Sequence, residues 1–190
     1  DQLNLPTSHE APMSIIKIIE SRKSCRTYTD QAIEAKKLDE LTQFLESNRK
    51  SPFGSRVRFQ LIKLNEVEGA RLNKLTTYGI IKGARHFIVG AVEKTPKAME
   101  DYGYCMEEII LKAASLGLGT CWLGGTFKRS GFAQEIGITE SELLPAVSPV
   151  GYAGDKRAAI DRLFRFVASA DKRKPWNELF YLDDISRSLD

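Results

Sequence analysis

LGLGTCWLGG, residues 116–125, lies where a long apolar helical pattern stops, and its reading decides the fold. The glycines stand at 117, 119, 124 and 125, after a helix rather than after a strand. That order does not match the dinucleotide fingerprint, whose first glycine closes a strand and whose last packs a helix against it. Gly117 and Gly119 read as a helix stop and a tight turn. The stretch from 119 to 125 then reads as a short buried strand with two glycines at its end. Gly124 and Gly125 have no capping role. Paired glycines after a buried strand let backbone N–H groups approach a flat ligand closely. A bulge or turn explains them equally well from local chemistry.

Upstream, residues 97–117 repeat apolar side chains at three- and four-residue steps: Met99, Tyr102, Met106, Ile109, Ile110, Ala113 and Leu116. This predicts a helix of roughly five turns at 3.6 residues per turn. Its broad apolar stripe places it at the centre of the fold or at a subunit interface, with Met99 and Met106 as core packing. Residues 56–64 (RVRFQLIKL) alternate Val57, Phe59 and Leu61 against Arg56, Arg58 and Gln60, which is a strand pattern. A second buried strand is expected over 84–93. Helices are expected over 14–22 and 36–47, the latter carrying Leu38, Leu41, Phe44 and Leu45 on one face. Downstream, 130–136 reads as a helical turn, 144–152 as a strand and 157–168 as a surface helix. Mixed helices and strands without strict βαβ alternation indicate an α+β fold.

Two basic clusters flank this body. In Arg22-Lys23-Ser24-Cys25-Arg26, the two arginines are read one helical turn apart with a hydroxyl between them. Guanidinium groups and a hydroxyl converging on one point suit a phosphate, and a solvated helix end is the competing reading. Lys172-Arg173-Lys174-Pro175-Trp176 offers three more cations, or an exposed linker.

The 190 residues suit one domain or one domain with an appendage, and a formal charge of +3 with a pI near 8.7 gives no strong nucleic-acid signature. Hydrophobic residues at 42% and charged residues at 28% describe an ordinary soluble chain. No apolar run reaches the ~20 residues a bilayer requires. Residues 1–12 read as a leader or remnant ahead of a natural start at Met13, and 181–190 as a C-terminal tail. Cys25, Cys105 and Cys121 are widely spaced and read as free thiols in a reducing cytoplasm. Cys25 lies among cations that favour a thiolate, but an inert thiol is the simpler reading. His86 falls inside a strand pattern and reads as a satisfied core histidine. Neither a zinc site nor a serine-hydrolase elbow is indicated.

The succession along the chain is more specific than any one motif. An isoleucine-rich helix leads into R-x-S-x-R-x-aromatic, a long helix ends in L-G-L-G-T-C-W-L-G-G, and a basic-Pro segment follows Gly-Tyr-Ala-Gly. Over residues 13–180 this resembles the nitroreductase family, in particular its branch first described from thermophilic bacteria. The resemblance implies a mainly antiparallel central sheet flanked by helices, with FMN as cofactor, often at a homodimer interface. It implies that Arg22 and Ser24 bind the FMN phosphate, with Arg26 nearer the ribityl chain and the pyrimidine edge. Leu123, Gly124 and Gly125 would line the isoalloxazine, and Arg173, helped by Lys172 or Lys174, would close over the phosphate. NAD(P)H would deliver hydride to the flavin N5, and a flat acceptor such as a nitroaromatic or a quinone would then take the electrons, in ping-pong order. Many family members carry S-x-x-N-x-Q-P-W-x-F after the second helix; here the region reads SNRKSPFGSRVRF, with Asn48 and Arg49 close by but no Gln-Pro-Trp. That departure motivates an alternative, a flavin-binding or interaction module without turnover. Nucleic-acid binding is not expected, because the basic clusters are short and not interleaved with aromatics.

Overall fold

The computed structural model describes residues 14–47, 51–64, 77, 79–154, 174–183 and 187. They belong to two compact units that divide after Gly154. In the larger unit, helix α1 (Ile15–Ser21) and helix α2 (Ala35–Glu46) precede strands β1 (Val57–Lys63) and β2 (His86–Glu93). The long helix α3 (Ala98–Ser115) is followed by the short strand β3 (Gly119–Thr120). Helix α4 (Arg129–Glu135) and strands β4 (Glu142–Leu143) and β5 (Val147–Gly151) complete it.

The strands form one five-stranded antiparallel sheet in the order β1-β2-β5-β3. β1 and β2 pair along their full length, from Val57 opposite Val92 to Lys63 opposite His86. The other edge of β2 is shared, with β5 pairing along His86–Val89 and β4 along Val92–Glu93. Because strand side chains alternate between faces, β2 supplies two cores at once. Ile88 and Val92 join Leu41, Leu45, Tyr102, Met106, Ile109 and Ile110 under α2 and α3. Phe87, Val89 and Ala91 join Leu123, Phe127, Phe132 and Val147 on the opposite face. Gly90 is the point where only glycine fits, since a Cβ there would stand 2.3 Å from the Phe59 ring and 3.0 Å from that of Tyr102. Those two rings pack with centroids 5.2 Å apart, and the Tyr102 hydroxyl donates to the Ala146 carbonyl at 2.5 Å.

The α+β expectation and the antiparallel sheet hold. Three local readings change. Met99, expected in the core, is 58% exposed, because the buried face of α3 runs through Ala98, Asp101 and Tyr102 instead. The strand expected over 119–125 pairs in the ladder only at Gly119–Thr120, with one further bridge from Leu123 to Val147. The strand expected from 144 begins at Val147, and the two-residue β4 precedes it. The helix expected over 157–168 lies outside the described residues.

In the smaller unit, Pro175 leads into a 3-10 turn over Trp176–Glu178. The Trp176 and Phe180 rings stack with centroids 4.0 Å apart.

Candidate functional site

Helix α1 ends because Arg22 turns extended, at φ −61° and ψ 130°, while its N–H still caps the Ile18 carbonyl. The chain then runs beside β3: Ser24 bridges Thr120 in parallel, and the Cys25 N–H donates to the Thr120 carbonyl at 2.8 Å. The helical-turn spacing read for Arg22 and Arg26 is therefore corrected. Extended backbone alternates its side chains between faces, so the one-turn spacing that a helix would give Arg22 and Arg26 does not apply. Gly119 owes its identity to this close approach, because a Cβ there would stand 2.9 Å from that of Cys25. The segment is fastened further by Tyr28, whose ring lies against Gly151 and whose hydroxyl donates to the Cys25 carbonyl at 2.7 Å. Burial pushes the Tyr28 hydroxyl well above its ordinary pKa, which keeps it a donor.

Arg22 is only partly engaged. Its Nε lies 3.5 Å from Oε1 of Glu107, in the middle of α3. Its Nη1 is buried and has no hydrogen-bond partner among the described residues, and neither has the buried Thr120 Oγ1. The second Glu107 oxygen, Oε2, accepts the Trp122 indole N–H at 2.8 Å. Buried donors in native proteins are almost always paired, so the orphaned Nη1 marks a place where an acceptor from outside these residues fits.

Gly124 and Gly125 are exposed. Neither has a positive φ, and a Cβ on either would meet nothing within 4 Å. Crowding and backbone conformation among the described residues thus give no reason for glycine at either position. The Gly124 carbonyl accepts from Arg129 Nη2 at 3.1 Å, which fixes the loop. Leu123 is held on both its backbone and its side chain. Its side chain is buried among Phe87, Phe127 and Phe132, and its N–H and carbonyl both pair with Val147, so it anchors the glycines from behind. Arg26 is partly buried, and its carbonyl accepts from the Lys82 N–H. Lys174 is exposed in the smaller unit. Lys172, Arg173, Asn48 and Arg49 lie outside the described residues.

The turn that stands in place of Gln-Pro-Trp is held by a carboxylate that sequence reading passed over. Asp101, fully buried in the first turn of α3, accepts the N–H groups of Phe53 at 2.7 Å and Ser55 at 2.8 Å. Burial pushes its pKa up, but the hydrogen bonds from Ser55 and Phe53 outweigh that and hold it below the usual carboxylate value. Phe53 is left 61% exposed at the tip. Glu107 and Trp122 also escaped sequence reading. Their only signal was a charged pair, Glu107-Glu108, interrupting the apolar stripe of the long helix.

Cys25, Cys105 and Cys121 form no disulfide with one another, as expected. The Cys25 Sγ donates to the Thr27 carbonyl at 3.2 Å. His86 is not enclosed in the core. It is partly buried in the wall of a cavity of about 120 Å³ shared with Lys63 and Arg85. Burial first, then those two cations, lowers its pKa. Among the described residues no cluster of His, Cys, Asp or Glu could hold a metal, and no helix is long and apolar enough to cross a membrane.

Comparison with solved structures places this architecture. A nitroreductase family protein from Clostridium difficile 630 superposes with a TM-score of 0.65 at 19% identity, covering 90% of this chain and 99% of that one. A nitroreductase from Desulfovibrio desulfuricans solved in complex with FMN gives 0.64 at 20% identity, covering 92% and 98%. An FMN-dependent nitroreductase from Clostridium difficile R20291 gives 0.60 at 22% identity, covering 76% and 90%. At these identities the likeness shows the fold alone. No curated protein matches the sequence. The family model described as "Putative TM nitroreductase" matches residues 14–189, and the chain therefore belongs to that nitroreductase family.

Proposed function

We propose that this chain binds FMN and acts as an NAD(P)H-dependent oxidoreductase on small flat acceptors, nitroaromatic or quinone, as a homodimer. The observation that carries the proposal is the buried Nη1 of Arg22, which has no acceptor of its own. It lies on the segment bridged to the strand that leads to two unexplained glycines. A phosphate and a flat ring are the two ends of FMN, and these are the two kinds of surface on offer.

In this reading Arg22 and Ser24 hold the phosphate by charge-assisted hydrogen bonds, and Arg26 lies towards the ribityl chain. Gly124 and Gly125 present bare backbone to the ring, with Leu123 holding them in place. When bound, FMN supplies the acceptance and delivery of hydride. The chain's residues bind, orient and set the local charge, and no side chain is assigned as acid or base. The test is a titration of the purified protein with FMN, followed by NAD(P)H oxidation with a nitroaromatic or quinone acceptor. Protein that stays colourless with FMN would sink the proposal.

One observation favours a second reading, a flavin-binding module without turnover. The Ser51–Ser55 turn occupies the place of the Gln-Pro-Trp motif and presents Phe53 to solvent. Flavin-loaded protein that fails to oxidise NAD(P)H with any such acceptor would select it.

A further inference from the structure

We propose that Glu107 is the positioning residue of the phosphate-binding arginine, an inference that rests on the flavin reading above. Its two oxygens are divided between Arg22 Nε and the Trp122 indole N–H. One carboxylate thus couples the Arg22–Arg26 segment to the stretch that leads from β3 to Gly124 and Gly125. These are the two parts of the chain assigned to opposite ends of the cofactor.

Its partial exposure argues against a role in stability. The Glu107 side chain is 39% exposed and that of Arg22 26%, and ion pairs this open to water contribute little to folding. What the pair does is fix a torsion. A carboxylate on the Nε side holds the planar guanidinium in one orientation and leaves its Nη groups to another acceptor. Nη1 is the atom found buried without a partner. A phosphate accepts two guanidinium N–H groups together only when the plane is already aimed at it.

Charge and geometry predict opposite outcomes, so the proposal can fail cleanly. By charge alone, neutralising Glu107 removes a negative group beside the phosphate and tightens FMN binding. If Glu107 positions Arg22, the same change frees the guanidinium and weakens binding, in spite of the more positive field. Riboflavin, which has the ring and ribityl chain but no phosphate, separates this effect from general damage.

The experiment is a fluorescence titration of the 190-residue chain with FMN and with riboflavin, for the unaltered protein, Glu107→Gln and Trp122→Phe. Glu107→Gln should weaken FMN about tenfold and shift riboflavin by less than about twofold. Trp122→Phe removes only the indole N–H and should weaken FMN by about threefold. Unchanged or tighter FMN binding by Glu107→Gln would overturn the proposal. So would an equal loss for both flavins, or loss of the folded circular-dichroism spectrum, since each would make Glu107 a structural residue. Unaltered protein that binds neither flavin would instead remove the flavin reading, and this inference with it.

Discussion

Arg58 and Arg22 are both arginines that reach a glutamate on another element, yet their surroundings differ. Arg58 donates from Nε and Nη2 to the two oxygens of Glu142, at 2.7 and 2.8 Å. Its Nη1 reaches the Ile136 carbonyl at 2.9 Å, and Nη2 also contacts that of Gly137 at 3.2 Å. Every nitrogen is engaged, and the side chain ties β1 to the end of α4 and to β4. Among the described residues, the Arg22 guanidinium has an ion pair at 3.5 Å and a buried nitrogen with no partner. A guanidinium with all its nitrogens engaged is a structural tie, whereas one with a buried orphan nitrogen keeps hydrogen-bonding capacity unused. Residue type alone does not tell them apart.

Breaking the Arg58 tie should have the largest effect on stability. Arg58→Ala leaves Glu142, whose side chain is only 16% exposed, without its partner and two carbonyls without a donor. We expect a loss of about 2–3 kcal/mol in denaturant unfolding, with FMN affinity unchanged. Arg22→Ala should reverse the pattern. It should weaken FMN by about 1.5–3 kcal/mol in a binding titration, and cost less than about 1 kcal/mol in unfolding. Equal effects of the two substitutions on both measurements would erase the contrast.

Acid sharpens the same comparison. The hydrogen bonds from Arg58, opposed by burial and assisted by the Thr139 N–H, hold Glu142 at about 2, below its ordinary 4.5. A carboxyl depressed on folding stabilises the protein fully above its unfolded value, and that contribution is lost as pH falls towards the folded one. Stability should therefore decline between about pH 5 and pH 2. The decline should be shallower in Glu142→Gln, a difference read directly from thermal unfolding across that range.

Two smaller effects concern the loops. Asp101→Asn keeps the shape but removes the charge that anchors the Phe53 and Ser55 N–H groups. We expect a fall in Tm of roughly 3–6 °C by calorimetry. A Cβ at Gly124 or Gly125 meets no atom of the described residues within 4 Å, so Gly124→Ala and Gly125→Ala should each change stability by less than about 0.5 kcal/mol. If the pair faces a ring, both should still weaken flavin binding. A stability loss without a binding loss would return the glycines to a purely structural role.

The fold was largely legible in the sequence, and much of the site was not. Helix α3 announced itself through Tyr102, Met106, Ile109 and Ile110, and β1 through the alternation of Val57, Phe59 and Leu61, because both periods are set by local backbone geometry. Gly119 was misread as a turn glycine, since its reason is Cys25, which is distant in sequence and lies across a parallel bridge. Met99 was misplaced because helical spacing alone does not decide which edge of a broad stripe meets the sheet. Glu107 looked like an ordinary helix-surface charge until the fold brought Arg22 and Trp122 to its two oxygens.

By itself, then, the sequence determined the elements, the α+β class, and which residue types were available for a phosphate and a flat ring. Periodicity, capping and side-chain chemistry are local, and they are written residue by residue. Only the tertiary structure decided that Arg22 is extended and not helical, and that its Nη1 is buried without an acceptor while Arg58 is fully engaged. Burial and hydrogen-bond pairing depend on which distant segments are brought together, and for Arg22 those are β3, the middle of α3 and Trp122.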